Sequence, residues 1–368
     1  MRDTDRFPVE VGITGPLSGR SAHLGREMVQ AARLAVDEVN ARGRVHGAPV
    51  GAVVLDDAGR PETGVEVARA FAGRGGVVAV VGPYNSDVAL RTAPVYHDAG
   101  LALVNPIVSN PALTGRGWEN VFRLTNRDDR TAHALAVELR EGLGKSRAVV
   151  VRTATTYGES MTEQFVRAFA ATGGRVVARY TVTEGERNVD ALVERLPRDV
   201  DVVFYGGTFE GAPIVTALRR AGRDLLFATG DGCWDRHAFL QPAAEAAARG
   251  EGTLVLAASP DVGQVPGSAA FARDYERTYG PIGNYAVNAY DATRLVLAAV
   301  AASGRADRAG TLAAIRDIEY RGIGYAEPTR WDTNGDNLAT GTFLKVVEDG
   351  RFRQVAAFDR AGARTAGR

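Results

Sequence analysis

The chain has 368 residues, 45% hydrophobic and 24% charged, and its 44 basic and 44 acidic side chains leave no formal net charge. That length is too great for one small core and suits two lobes, while the charge balance argues against a nucleic-acid binder, which would carry a basic face. The longest late apolar run, Leu295 to Ala302, is far short of the roughly 20 residues that a membrane span needs.

Apolar, β-branched runs alternate with longer helical patterns. Val9 to Thr14 reads as a strand, and Arg26 to Ala41 as a helix with Met28, Ala31, Ala32, Ala35, Val36 and Val39 on one stripe, stopped by Gly43. Strand Val50–Leu55, helix Glu62–Phe71, strand Val77–Val81, a helix from Asp87 to Ala99 and strand Leu101–Val104 follow. Pro106 to Thr125 reads as connection rather than core. The rhythm restarts with helix Ala134–Leu143, strand Ala148–Val151, helix Met161–Ala171, strand Arg175–Tyr180 and a short helix Asp190–Leu196. Strand Asp201–Tyr205, helix Ala212–Ala221 and strand Leu225–Ala228 complete the second run. Beyond Leu254–Ala257, helices are expected over Ala269–Tyr279, Ala286–Ala302 and Thr311–Asp317. Two final strands, Gly341–Val347 and Phe352–Phe358, are joined by the hairpin signal Glu348-Asp349-Gly350. Repeated β-α units predict an α/β protein of two Rossmann-like lobes, each a parallel sheet with helices on both faces.

Signatures of catalysis and metal binding fail. No Walker loop or Gly-x-Ser-x-Gly elbow occurs, and Gly230-Asp231-Gly232 does not extend into a dinucleotide fingerprint. Cys233 and His237 are four apart but lack an orienting third group. Asp332, Asn334 and Asp336 alternate as in a calcium loop, yet Asn337 and Phe343 stand where Gly and Glu are required, so a polar turn is expected. The five histidines show no ligand spacing. Cys233 is the only cysteine, which rules out an intramolecular disulfide. All basic residues but Lys145 and Lys345 are arginine, a bias that coding composition explains. Neither an enzyme nor a bound cofactor is expected.

In open parallel sheets, ligands bind beyond the carboxyl ends of the strands. Past those ends stand Tyr84, Asn85 and Ser86; Ile107 and Ser109; Tyr157 after Thr155 and Thr156; Thr208 and Phe209; and Asp231 with Trp234 close behind. Each has a second reading: Ser86 as a helix N-cap, Ser109 as loop decoration, Tyr157 as a surface aromatic and Asp231 as a turn former. Their shared position favours a site. The chemistry suits a zwitterion, with a carboxylate on Ser86 Oγ, backbone N–H groups and a helix N-terminus. The ammonium would meet Ser109 Oγ, a loop carbonyl and the charge of Asp231.

These segments, in order, resemble the branched-chain amino-acid-binding proteins of ABC importers, of the type I periplasmic-binding-protein fold. The resemblance is carried by Gly12-Ile-Thr-Gly-Pro-Leu-Ser-Gly19, Asp56-Asp57-Ala58, Gly82-Pro-Tyr-Asn-Ser86, Asn105-Pro106 to Ser109, and Tyr157-Gly158-Glu159. Tyr205-Gly206-Gly207, Gly230-Asp231-Gly232 and Trp331-Asp332 with Gly335-Asp336 continue it, so that it spans Val9 to Phe358. It implies that Ser86, Ser109 and the Ile107 backbone hold the ligand's charged ends from lobe one. Tyr157, Thr208 and Asp231 would approach from lobe two, and Leu24, Tyr84 and Asn85 would shape the side-chain pocket. It further implies crossovers near Thr125, Ala258 and Glu327. Lobe one would then be 8–125 plus 258–327 and lobe two 126–257 plus 328–358, with 1–7 and 359–368 as disordered tails. Three departures stand out. Gly59 and Asn85 occupy positions where some relatives carry a disulfide staple, Asp231 stands where Glu is frequent, and Thr208 where an aromatic is common.

The resemblance implies a monomeric, extracytoplasmic solute-binding protein whose partners are a small ligand, an amino acid by its chemistry, and the membrane subunits of an ABC transporter. A ligand-sensing domain of a receptor or kinase would share the fold. Met1 to Phe7 lacks the apolar core of a signal peptide, so either the protein stays in the cytoplasm or its leader is not part of this chain.

Overall fold

The computed structural model describes residues 9–43, 45–245, 250, 252–257 and 259–365. The expected amino-terminal tail, the crossover residue Ala258 and the last three residues lie outside these. The chain forms two compact units, one of residues 1–126 and 262–340, the other of residues 127–261 and 341–368.

The first unit is built on a five-stranded, wholly parallel sheet of β1 (Val9–Gly15), β2 (Val50–Asp56), β3 (Val77–Val81), β4 (Ala102–Asn105) and β5 (Val121–Arg123), in the order β2-β1-β3-β4-β5. Every residue of β3 and β4 is buried, as expected where helices cover both faces of a parallel sheet. Helix Ala22–Arg42 buries Leu24, Met28, Ala31, Ala32, Ala35 and Val36 and packs against helix Ala286–Ser303. A core around Phe71, Val80, Tyr96, Leu103 and Val121 lies beneath helices Pro61–Ala72 and Ser86–Asp98.

The second unit carries β6 (Arg147–Thr153), β7 (Arg175–Val182), β8 (Val202–Gly206), β9 (Leu226–Thr229), β10 (Leu254–Ala257), β11 (Thr342–Glu348), β12 (Arg351–Phe358) and β13 (Arg364–Thr365). Their order is β13-β12-β11-β10-β9-β8-β6-β7, parallel from β7 to β10 and antiparallel from β10 to β13. Asp349 and Gly350 both have positive φ, 50° and 66°, which gives the β11–β12 hairpin the two-residue turn its sequence signals. The core stacks Phe165 on Phe204, with ring centroids 3.9 Å apart, and on Phe169 at 5.3 Å. No described helix is long and apolar enough to cross a membrane.

Four expectations need correction. The segment Pro106–Thr125 is not mere connection: it contains β5, whose three residues pair with β4 from Leu103↔Val121 to Asn105↔Arg123. A strand so short has no readable period. The helix expected from Ala134 begins at Asp128, because polar first-turn residues mask its start. The tail beyond Phe358 is ordered through Arg364–Thr365, where β13 pairs with β12 and Asp359 Oδ1 accepts from the Ala361 and Ala363 amides. The expected crossover at Glu327 lies instead after Thr340.

That last shift has a physical cause. The fully buried Arg123 donates through Nε and Nη2 to Asp336 Oδ1, at 2.8 and 2.6 Å. Its backbone closes the contact, Arg123 N–H to Gly335 O at 2.8 Å and Asn337 N–H to Arg123 O at 3.1 Å. Segment 328–340 is thereby fastened to the edge strand of the first unit. Breaking a buried pair leaves an uncompensated charge and costs about 3–5 kcal/mol, whereas replacing both partners by apolar groups costs far less. Arg123→Met should therefore lose about 3–5 kcal/mol in urea unfolding, and Arg123→Met/Asp336→Leu should recover much of it. A loss below about 1 kcal/mol for the single substitution would show that the pair does not hold the segment.

Candidate functional site

In the first unit the sequence-selected residues sit on two loops tied by one side chain. Asn105, the last residue of β4, donates from Nδ2 to the carbonyls of Gly82 and Pro83, both at 2.9 Å. Its Oδ1 accepts from Ile107 N–H at 3.0 Å and Val108 N–H at 2.6 Å. One buried amide thus fixes the loop carrying Tyr84, Asn85 and Ser86 against the loop carrying Ile107 and Ser109. Gly82 permits this approach: its φ is 114°, and a Cβ there would lie 2.0 Å from the Thr14 carbonyl oxygen. The Ile107 N–H is spent on Asn105, so only its carbonyl could serve a ligand, as an acceptor.

Ser86 is the first residue inside helix Ser86–Asp98; Asn85 holds the N-cap position without a side-chain cap bond. The N-cap reading of Ser86 is therefore wrong, although its hydroxyl still stands at the helix N-terminus. Ser86 and Ser109 are 6% and 5% exposed, and neither hydroxyl has a hydrogen-bond partner among the described residues. Asn85 Oδ1 is buried without a partner and lies beside Gly59, where a Cβ would come within 3.2 Å of it. Tyr84 meets Tyr285 edge-on at 5.7 Å. Leu24 is buried in the opening turn of its helix and has no polar link to the other loops. A second clamp escapes sequence reasoning: Arg123 Nη1 donates to the carbonyls of Asn110 at 2.6 Å and Val108 at 3.4 Å, one on each side of Ser109.

In the second unit the structure brings Tyr157 and Asp231 together. Tyr157 enters from the first turn of helix Thr156–Ala171, which Thr155 caps by accepting from Gly158 N–H at 3.1 Å. The Tyr157 hydroxyl donates to Asp231 Oδ1 at 2.7 Å and accepts from Gly232 N–H at 2.9 Å. A Cβ on Gly232 would lie 2.5 Å from the Gly207 carbonyl oxygen, 2.7 Å from Tyr157 Cε1 and 2.9 Å from Thr208 Cγ2. Only glycine lets the Thr208 loop, the tyrosine ring and the Asp231 turn converge. Cys233 Sγ donates to the Thr208 carbonyl at 3.2 Å, and His237 pairs with Gln241 at 2.8 Å. Buried Glu210 accepts from Tyr205 Oη at 2.8 Å, Thr153 Oγ1 at 3.0 Å and Gly185 N–H at 2.7 Å. It braces the end of β8 below Thr208, and no motif pointed to it.

Asp231 is half-buried, and burial pushes its carboxyl up to about 6 against the lowering effect of the Tyr157 hydrogen bond. A raised acid binds more protons folded than unfolded, so its share of stability is full below about pH 4 and is lost as pH rises through 6. Asp231→Asn should melt above the wild type at pH 7, with the gap closing by pH 4. Calorimetric melts at both pH values read it, and an unchanged gap would mean that the carboxyl carries no desolvation cost.

The periplasmic binding protein family matches residues 8–351. The Leu/Ile/Val-binding protein BraC3 of Rhizobium johnstonii is 31% identical over 312 residues, covering 84% of this chain and 83% of that one. Among solved structures, an ABC transporter substrate-binding protein of Desulfitobacterium hafniense in complex with Leu superposes with a TM-score of 0.79 at 28% identity, over 94% of this chain and 99% of that one. The leucine binding protein LivK of Thermotoga maritima shares the fold, with a TM-score of 0.86 at 24% identity over 95% and 99% of the two chains. Two α/β units of this pattern are the type I periplasmic-binding-protein fold. Such proteins hold a solute without converting it and work outside the cytoplasm, so this chain is a binding protein rather than an enzyme. The chain belongs to the periplasmic binding protein family.

Proposed function

We propose that the chain captures an amino acid for an ABC importer. The observation that carries this reading is a division of labour between chemically opposite surfaces. The first unit offers the Ser86 hydroxyl with a helix N-terminus, which suit a carboxylate, and the Ser109 hydroxyl as an acceptor for an ammonium. The second offers the Asp231 carboxylate aimed by Tyr157, which suits an ammonium. An α-amino acid carries both of the groups that these surfaces suit, a carboxylate and an ammonium on one carbon. Ile107 would add its carbonyl, Thr208 a methyl and hydroxyl, and Leu24, Tyr84 and Asn85 the walls around the side chain. The relatives named for Leu, Ile and Val support an aliphatic ligand. The protein would act as a monomer, free in the periplasm or lipid-anchored at the cell surface, and deliver its solute to the transporter's membrane subunits.

Ligand binding should raise the melting temperature, since a hundredfold excess over Kd adds about 2.7 kcal/mol to stability. L-Leucine is the first probe; no shift with any amino acid would defeat the reading. Losing one member of a buried charge pair costs about 2–5 kcal/mol, so Asp231→Asn should weaken leucine binding at least tenfold. It should cost little for the deamino analogue. Protonation of Asp231 removes the attraction, so wild-type affinity for leucine should fall as pH drops through about 6. Equal losses for both ligands in this double-mutant cycle would show that Asp231 does not touch the ammonium.

A further inference from the structure

Lys345 is one of two lysines in a chain that otherwise uses arginine. It lies on β11 with its side chain only 2% exposed. Its ammonium forms an ion pair with Asp261 and sits 4.8 Å from the centroid of the Trp234 ring. Asp261 is in turn fixed to β12: its Oδ2 accepts from Gln354 N–H at 3.2 Å, and its own N–H donates to Gln354 Oε1 at 3.3 Å. Asp261 is the last residue of the second unit before the chain crosses to the first, and β11 begins just after the chain returns at Gly341. Trp234 is 4% exposed and directly follows the turn Asp231–Cys233.

We infer that Lys345 is a positioning residue for the Asp231 turn, a cationic seat anchored by Asp261 on which the Trp234 ring rests. The chemistry explains why lysine stands here in an arginine-rich chain. An ammonium is a compact charge that a carboxylate and an indole face can together satisfy. A guanidinium would bring five donors into a space with one carboxylate, leaving buried N–H groups unmet. The turn is held by Gly232 N–H to Tyr157 Oη at 2.9 Å, Tyr157 Oη to Asp231 Oδ1 at 2.7 Å, Cys233 Sγ to Thr208 O at 3.2 Å, Cys233 N–H to Gly230 O at 3.3 Å and Trp234 N–H to Asp231 O at 2.9 Å. Trp234 closes the turn, and its ring rests beside the Lys345 ammonium. Through it, the residue that would meet the ligand's ammonium is linked to two of the three points where the chain passes between the units.

The inference rests on Asp231 facing the ligand, but its test does not. Amide hydrogen exchange on the full ligand-free chain is compared for wild type, Lys345→Met, Lys345→Met/Asp261→Asn and Trp234→Leu. The double variant leaves no buried charge unpaired and keeps the test open should the single one not fold. Exchange at Gly232, Cys233 and Trp234 should quicken at least tenfold in every variant. The double should be no faster than the single, and the amides of β6 and β8 should be unchanged. Normal turn exchange in the double variant, or equal acceleration throughout the second unit, would overturn the inference. Leucine titration adds a second arm, with affinity at least fivefold weaker in the double variant although Asp231 is retained. A wild type that binds no amino acid would defeat the ligand reading alone, because the exchange arm decides the role of Lys345 without a ligand.

Discussion

The guanidinium of Arg123 is wholly removed from water, and a charge so placed must have its donors met within the protein. Asp336 takes Nε and Nη2, Thr114 a further bond from Nη2, and the carbonyls of Val108 and Asn110 take Nη1. Two neighbouring stretches and a third, 213 positions further on, are thus drawn to one point. The edge strand β5 gains its place beside β4, segment 328–340 joins the first unit, and the loop bearing Ser109 is held on both sides of that residue. Asn105 does the same from the neighbouring strand end with neutral groups. Loop backbone would otherwise cost about 1–2 kcal/mol per residue to order; here the ordering occurs on folding, so the proposed ligand would meet hydroxyls already in position.

The second unit reaches a similar end by different means. Its acid is aimed by a tyrosine, and the loops around it converge because glycine occupies the point of closest approach at 232. Burial holds the Asp231 carboxyl near 6, so near that pH it is divided between acid and carboxylate. Under the proposed function an arriving ammonium would favour the carboxylate and displace the proton, coupling capture to proton release. The neutral hydroxyls of the first unit have no such dependence. The asymmetry follows from the ligand class proposed: a carboxylate is met by dipoles, an ammonium by a charge.

Much of the architecture is legible in the sequence because its signals are local. Val77–Val81 is apolar throughout and lies buried within a parallel sheet; Met28, Ala31, Ala32, Ala35 and Val36 recur at helical spacing and are buried. The loops bearing Ser86, Ser109, Tyr157, Thr208 and Asp231 could be found because strand ends mark where such residues gather. What stayed hidden depends on long-range contacts. β5 is too short to show a period, and nothing near Asp336 signals that Arg123, 213 positions away, will bind it. Glu210 and Asn105 look like ordinary loop residues until the folded chain supplies their partners. Ser86 and Asn85 differ by one position in capping role, a distinction below the resolution of sequence pattern.

Lysine 345 shows how a compositional reading can conceal a physical one. Coding bias explains why 44 basic residues include so few lysines, but it does not explain where the exceptions fall. Lys145 is half-buried just before β6, where its charge helps hold the Asp201 carboxyl down. At 345 the side chain is enclosed by a carboxylate and an indole face, and shape matters more than charge. The same argument applies to Gly232, whose place in a Gly-Asp-Gly string suggests only a turn. Its missing side chain is what allows Tyr157, Thr208 and Asp231 to share one small volume. In both cases the residue is set by what its neighbours leave room for, and at 232 those neighbours are also groups proposed to hold the ligand.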